Sequence, residues 1–206
     1  MKPFTRNEKL AVAAILGFTA IITLYNLNIS LRRARDAQRR ADIGSISNAL
    51  NKYRDDFGFF PPSRDGKIVA CRGNNFEEGL KDLQDDTKFD TDKFFAILTS
   101  CEWGSDSLRD VTDEAYEPYM KIIPSDPQSD QGMSYLYLSN TNRYQIFTFM
   151  EGEEEEIGYN SDIVGRQLNC GTGFICSFGK SYDSPLDMSI EEYEMKLLEN
   201  TNKSNG

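Results

Sequence analysis

Residues 10–31 are mostly apolar and carry no charge; beyond them the apolar residues thin into a periodic pattern. The twenty-two residues of that run are enough for a helix to cross a hydrocarbon core of about 30 Å. Thr19, Thr23, Asn26, Asn28 and Ser30 interrupt it. The asparagines fall near its far end, where headgroups or partner helices would satisfy them. Further on, Ile43, Ile46, Leu50, Tyr53 and Phe57 recur at steps of three and four, which is one stripe of an α-helix. Asp42, Asn48, Asn51, Lys52 and Asp55 fall mostly off that stripe. Gly58 and then Pro61-Pro62 stop the helix. The two patterns join without a breaker and predict one helix of about fifty residues, roughly 75 Å long. A small domain is only about 30 Å across. The first half must therefore protrude, and the stripe from 43 to 57 is what the rest of the chain packs on.

Behind the helix the pattern shortens. Residues 76–83 and 91–98 read as short helices, with Phe94, Phe95, Ile97 and Leu98 in the core. Trp103, the single tryptophan, reads as a core filler. Residues 119–127 form a stop-and-turn segment with two prolines, Pro124 and Pro127. Residues 134–138 and 143–150 are strand-like and are joined at 139–142 as an antiparallel hairpin, with a third strand expected over 174–178. The acidic run 151–156 reads as a solvated loop. Ser189-Ile190-Glu191-Glu192 has a capping-box form ahead of a helical face made by Ile190, Tyr193, Leu197 and Leu198, and 200–206 reads as a polar tail. The fold class is α+β: a long N-terminal helix, half transmembrane and half amphipathic, packed on a small antiparallel β-sheet head. The chain divides into a short N-terminus or leader at 1–9, a membrane segment at 10–31, its amphipathic continuation at 32–57, a head at 58–199 and a tail at 200–206.

Charge sharpens this division. The net charge is −10. Residues 1–40 hold eight basic and two acidic side chains, leaving fifteen basic against thirty-one acidic in the remainder. An acidic head argues against a specific nucleic-acid partner. There is no histidine, which removes the commonest general base and the commonest transition-metal ligand. With no convincing nucleophile or phosphate-loop motif either, the chain does not read as an enzyme. Carboxylate pairs are abundant, so a carboxylate-based hydrolase is the enzyme class left open.

The four cysteines, Cys71, Cys101, Cys170 and Cys176, all lie beyond the membrane segment. An even count in an exported domain points to disulfides. Of the three possible pairings we favour Cys170–Cys176 with Cys71–Cys101. Free thiols or a metal site are the alternatives, although Cys-x5-Cys without histidine is a poor zinc pattern. The cysteines also bear on orientation. Lys2, Arg6 and Lys9 precede the apolar run, and Arg32, Arg33, Arg35, Arg39 and Arg40 follow it. By the positive-inside count the C-terminal side would be cytoplasmic. The cysteine-bearing head reads as exported, and this is given the greater weight. A cleaved signal sequence is a competing reading, but the apolar run is long for one and no small-x-small site precedes a polar start. Glu8 stands at the mouth of the membrane, either as a solvated interfacial charge beside Lys9 or as a carboxylate that must find a cation when the helix packs among its neighbours.

The N-terminal residues resemble the type IV pilins and the type II secretion pseudopilins. The resemblance rests on Phe4-Thr5, Glu8, Gly17, Asn26, the run Arg-Arg-Ala-Arg-Asp-Ala-Gln-Arg at 32–39, Asp42-Ile43, Ala49-Leu50 and Tyr53, with Gly58 and Pro61 at the helix exit. It covers about a quarter of the chain. Ile123-Pro124-Ser125-Asp126-Pro127 before a tyrosine-rich hairpin is similar to the pseudopilin subgroup. In that family Phe4 would align with the first residue of the mature subunit and Glu8 with the carboxylate of the assembly helix. Phe4, Glu8, Lys9 and Gly17 are thus the expected assembly residues. The leader would be only Met-Lys-Pro, with proline where the family has glycine, so retention of Met1 is expected. Arg6, Asn7 and Lys9 also stand where the family is usually apolar, and Tyr25 where a kinking proline is common.

The resemblance implies a subunit held in the inner membrane until an assembly or secretion machine extracts it. It then polymerises with copies of itself into an extracellular or periplasmic filament, with Glu8 offsetting a cation of the next subunit. Some pseudopilins bind calcium in a loop after the hairpin; Glu155, Asn160 and Asp162 supply oxygens in that region, without EF-hand spacing. A solvated acidic loop is the alternative there. For the whole chain the alternative function is a monomeric membrane-anchored binding module, such as an adhesin or sensor.

Overall fold

The computed structural model describes residues 5–85, 89–152 and 158–204. The first element, α1, is a single helix of 52 residues, Arg6–Phe57, about 78 Å long at 1.5 Å per residue. Its start is a capping box: the Thr5 hydroxyl accepts from Glu8 N–H at 3.4 Å, and the Glu8 carboxylate accepts from Thr5 N–H at 2.7 Å. Its end is set by Gly58 at φ 81°, a left-handed conformation that glycine adopts without strain, with Gly58 N–H bonded to the Arg54 carbonyl.

Two three-stranded antiparallel sheets follow. The first orders β1 (Ser63–Arg64), β2 (Lys67–Arg72) and β3 (Leu98–Ser100) side by side. Between β2 and β3 the chain makes α2 (Phe76–Asp85) and α3 (Thr91–Ala96). The second sheet orders β4 (Leu136–Ser139), β5 (Tyr144–Thr148) and β6 (Phe178–Tyr182), with Tyr137 opposite Ile146 and Ile146 opposite Lys180. A short helix α4 (Ser161–Gly165) lies between β5 and β6, and α5 (Ile190–Ser204) closes the described chain.

The hydrophobic stripe of α1 lies on the sheets. Ile43, Ile46, Leu50 and Tyr53 are buried with Phe60, Ile68, Tyr137, Tyr144 and Ile146 in one cluster, and Phe57 is half-buried beside it. Burying each large apolar side chain is worth about 1.5–3 kcal/mol, so this stripe alone fixes the head to the helix. β5 is buried along its whole length, since one face meets α1 and the other meets Ile163 and the Cys170–Cys176 disulfide. A second cluster, Val69, Phe76, Leu83, Phe94 and Leu98, joins α2 and α3 to β2 and β3.

Four sequence expectations shift. The helix expected over 91–98 ends at Ala96, and Leu98 opens β3 instead, opposite Arg72 of β2, with the adjoining Ile97 carbonyl accepting from Gly73 N–H. The third strand of the second sheet is 178–182 rather than 174–178, because the Cys170–Cys176 loop turns 171–175 tightly, with Gly171 and Gly173 both at positive φ. The tail from 200 is helical to Ser204, carried on by α5, whose Ser189–Glu192 capping box is formed at both hydrogen bonds. Trp103 is half-buried against Tyr135 rather than central.

Candidate functional site

The feature that separates this molecule from an ordinary α+β domain is the first half of α1. Residues 5–28 are all exposed, and none of the most apolar 18-residue window is buried. Ile15, Phe18, Ile21 and Leu24 are each more than 60% exposed. By length and composition this is a helix able to cross a membrane or to act as a signal sequence. Nothing in the described head packs back on it. Among the expected assembly residues, Phe4 lies outside the described residues. Glu8, Lys9 and Gly17 lie on this exposed half, and a side chain built at Gly17 would meet nothing within 4 Å. Glu8 is engaged within its own helix, as the partner of Thr5 in the capping box.

Where the exposed half meets the head, one buried ionic cluster clasps the two together. The side chain of Arg39 is fully buried. Its Nε and Nη2 donate to the two carboxylate oxygens of Asp126 at 2.8 and 3.0 Å, a bidentate pair. Its Nη1 donates to Asp36 and to Glu151, both at 2.8 Å, and Nη2 also reaches the Gln128 side-chain oxygen at 2.9 Å. Arg35 forms a second fork onto Glu151. Asp36 in turn accepts the backbone N–H groups of Glu151 and Gly152 at 3.0 and 2.9 Å. Two guanidinium groups and three carboxylates thus share one site. Burial works against the charge of Arg39, yet its hydrogen bonds with Asp126 and Glu151 hold its pKa above the ordinary arginine value. Burial alone would push Glu151 up; the hydrogen bonds from Arg35 and Arg39 instead hold it below the usual carboxylate range. A turn further along, the Tyr135 hydroxyl donates to Asp42 at 2.7 Å, and burial raises the pKa of Asp42 despite that bond.

This cluster was not legible in the sequence. By spacing alone, Asp36 stands four residues after Arg32, as for an ion pair along the helix, and the arginines after residue 31 weigh only as charge beside the membrane segment. The partners Asp126, Gln128 and Glu151 come from 87 to 116 residues away along the chain. The clasp supplies a reason for Arg35 and Arg39 that is independent of membrane topology: they compensate buried carboxylates of the head.

The structure joins Cys71 to Cys101 and Cys170 to Cys176 as disulfides. Asp106 lies close to the first pair, but the two sulfurs are bonded to each other, so the three side chains are not a metal site. Of the residues considered for calcium, Glu155 lies outside the described residues. The side-chain oxygen of Asn160 caps α4, accepting from Asp162 and Ile163 N–H at 2.9 and 3.4 Å, and Asp162 is exposed in the first turn. No cofactor site is evident among the described residues. An open depression of about 470 Å³ lies beside α2, lined by Glu78, Asp82, Ile97 and Thr99 among others.

No protein-family model matches the chain, and no curated protein or solved structure matches it.

Proposed function

We propose that this chain is a structural subunit of a pilus or secretion pseudopilus, polymerising through the exposed half of α1 into a helical filament. The observation that carries the reading is that one unbroken helix is both bolted to a folded head and bare along residues 5–28, a stretch that holds a mostly apolar window of 18 residues. Such a surface is stable only in lipid or against other apolar helices. Before assembly the inner membrane covers it; afterwards the same half of sister subunits does, with the head outside the cytoplasm and an assembly or secretion machine moving the subunit between the two states. The clasp suits a rod that must be pulled, because it ties the head to the helix at the place where the bare half begins. The two disulfides suit a head outside the cytoplasm. The N-terminal resemblance to pilins and pseudopilins points the same way.

In a monomer Glu8 caps its own helix; in a filament it would also face a cation of a neighbour, supplied by Lys9, Arg6 or Lys2 where the first residues are retained. The test is electron microscopy of material sheared from producing cells, with mass spectrometry of its N-terminus. Thin fibres containing this chain are expected, and Glu8→Ala is expected to abolish or slow their growth while the head keeps its circular dichroism. A normal fibre yield from Glu8→Ala would refute the role given to this carboxylate, and single molecules under every condition would refute the subunit reading.

A further inference from the structure

The polar side chains inside the apolar run are not scattered. At 100° per residue, Thr19, Thr23, Asn26 and Ser30 fall within an arc of about 60°. The residues that seat the head, Ile43, Ile46, Leu50 and Tyr53, centre on the opposite side of the same helix, about 180° away. The polar face therefore points directly away from the head. Past the membrane segment Ala37, Ala41 and Asn48 fall on the same side and are exposed, while at Gly44 the Lys180 Nζ of β6 comes within 3.4 Å of where a Cβ would stand.

Three of the four polar groups are satisfied within α1. The Thr19 hydroxyl donates to the carbonyls of Ile15 and Leu16, Thr23 to Thr19, and Ser30 to Asn26. The Asn26 amide makes no hydrogen bond among the described residues. It sits about 8 Å from the midpoint of the 10–31 span, inside a hydrocarbon half-thickness of about 15 Å, where neither water nor lipid tails supply a partner. Asn28 differs. It lies about 160° round the helix from Asn26, alone on its face, and about 4 Å from the hydrocarbon edge, within reach of headgroups.

We infer that, in the membrane and before any filament forms, α1 pairs in parallel with α1 of a second copy through the Thr19–Asn26–Ser30 face. The occupant follows from the chemistry. An amide carries both a donor and an acceptor, so the same amide on a symmetry-related helix completes it. The chain has one helix able to cross a membrane among its described residues, so no intramolecular partner exists there. A parallel two-fold pair places both heads on the outside, where they do not collide. The small side chains along the face let the backbones approach. This inference rests on the membrane stage of the proposed function.

The test uses full-length protein in phosphatidylcholine–phosphatidylglycerol vesicles and oxidative trapping with copper phenanthroline. The native cysteines are already joined in disulfides. Ser30→Cys, on the face, is expected to trap dimers readily, and Asn28→Cys, opposite it, slowly. Adding Asn26→Leu to Ser30→Cys is expected to lower trapping about three- to tenfold, and Asn26→Gln, which keeps the amide, to restore most of it. Equal trapping at 28 and 30, no trapping at either, or no effect of Asn26→Leu overturns the pairing face. Electron microscopy of the same variants separates the two ideas. Filaments without Ser30→Cys trapping refute the face and leave the subunit reading standing, whereas trapping without filaments supports the face and counts against the subunit reading.

Discussion

Replacing Arg39 with methionine tests the clasp most directly. Methionine keeps much of the length and the apolar stem but removes the charge. The variant leaves Asp126 and Asp36, both with side chains about 1% exposed, without their guanidinium, and Glu151 with Arg35 alone. Two backbone N–H groups still reach Asp36, and Gln128 N–H still reaches Asp126 at 2.8 Å, so the loss is smaller than for bare charges. Breaking a buried pair from one side costs about 3–5 kcal/mol. For a head of this size that is a fall in melting temperature of about 6–20 °C. The assay is thermal denaturation of the full-length protein in detergent, followed by far-ultraviolet circular dichroism. Raising the salt concentration is expected to change the difference little, because buried charges are weakly screened. Adding Asp126→Asn is expected to recover part of the loss, since it removes one stranded carboxylate. A loss of less than about 1 kcal/mol, the range of exposed pairs, would show that the cluster contributes no more than a surface ion pair and would refute its role as a clasp.

Further outcomes follow from other sites. Glu151 has its pKa lowered in the folded state, so its share of stability is fully present above the ordinary value of 4.5 and is lost as pH falls through the lowered one; acid melts of Glu151→Gln are expected to lack that part of the pH dependence, and superimposable profiles would contradict it. The Cys71–Cys101 disulfide spans 30 residues, so Cys71→Ser with Cys101→Ser is expected to lower stability by about 2–4 kcal/mol in denaturant titrations, and an unchanged midpoint would count against it. Gly171 sits at φ +120°, where an added Cβ would collide with the Gly132 carbonyl oxygen. Gly171→Ala is expected to cost about 1–3 kcal/mol in the same titrations, whereas Gly17→Ala, with open space around it, is expected to leave the head's midpoint unchanged.

Contact range separates the features of this fold that local sequence encodes from those it does not. The limits and faces of α1 were legible because they depend on local terms: the 3.6-residue period of Ile43 to Phe57, the lack of any breaker, and Gly58 at the exit. The hairpin of β4 and β5 was legible for the same reason. The third strand was misplaced by a few residues because the short disulfide loop consumed the segment that its composition favoured for a strand. The tail after 200 read as loose because its polar composition said nothing about α5 continuing from a well-capped start. The Asp36–Arg39–Asp126–Glu151 cluster could not be read at all. Each of its members is an ordinary surface residue by type, and only the approach of three distant segments removes them from water.

The sequence by itself determined that this protein has a helix longer than its head, bare and apolar over its first half, since length, period and the absence of charge act within the helix. Tertiary structure alone decided how that rod is held and which way its polar face points. The depth at which Asp126 and Glu151 meet Arg39, and the side of α1 on which the sheets settle, depend on contacts between residues far apart in the chain. Those contacts replace water around charges and side chains whose sequence neighbours carry no record of them.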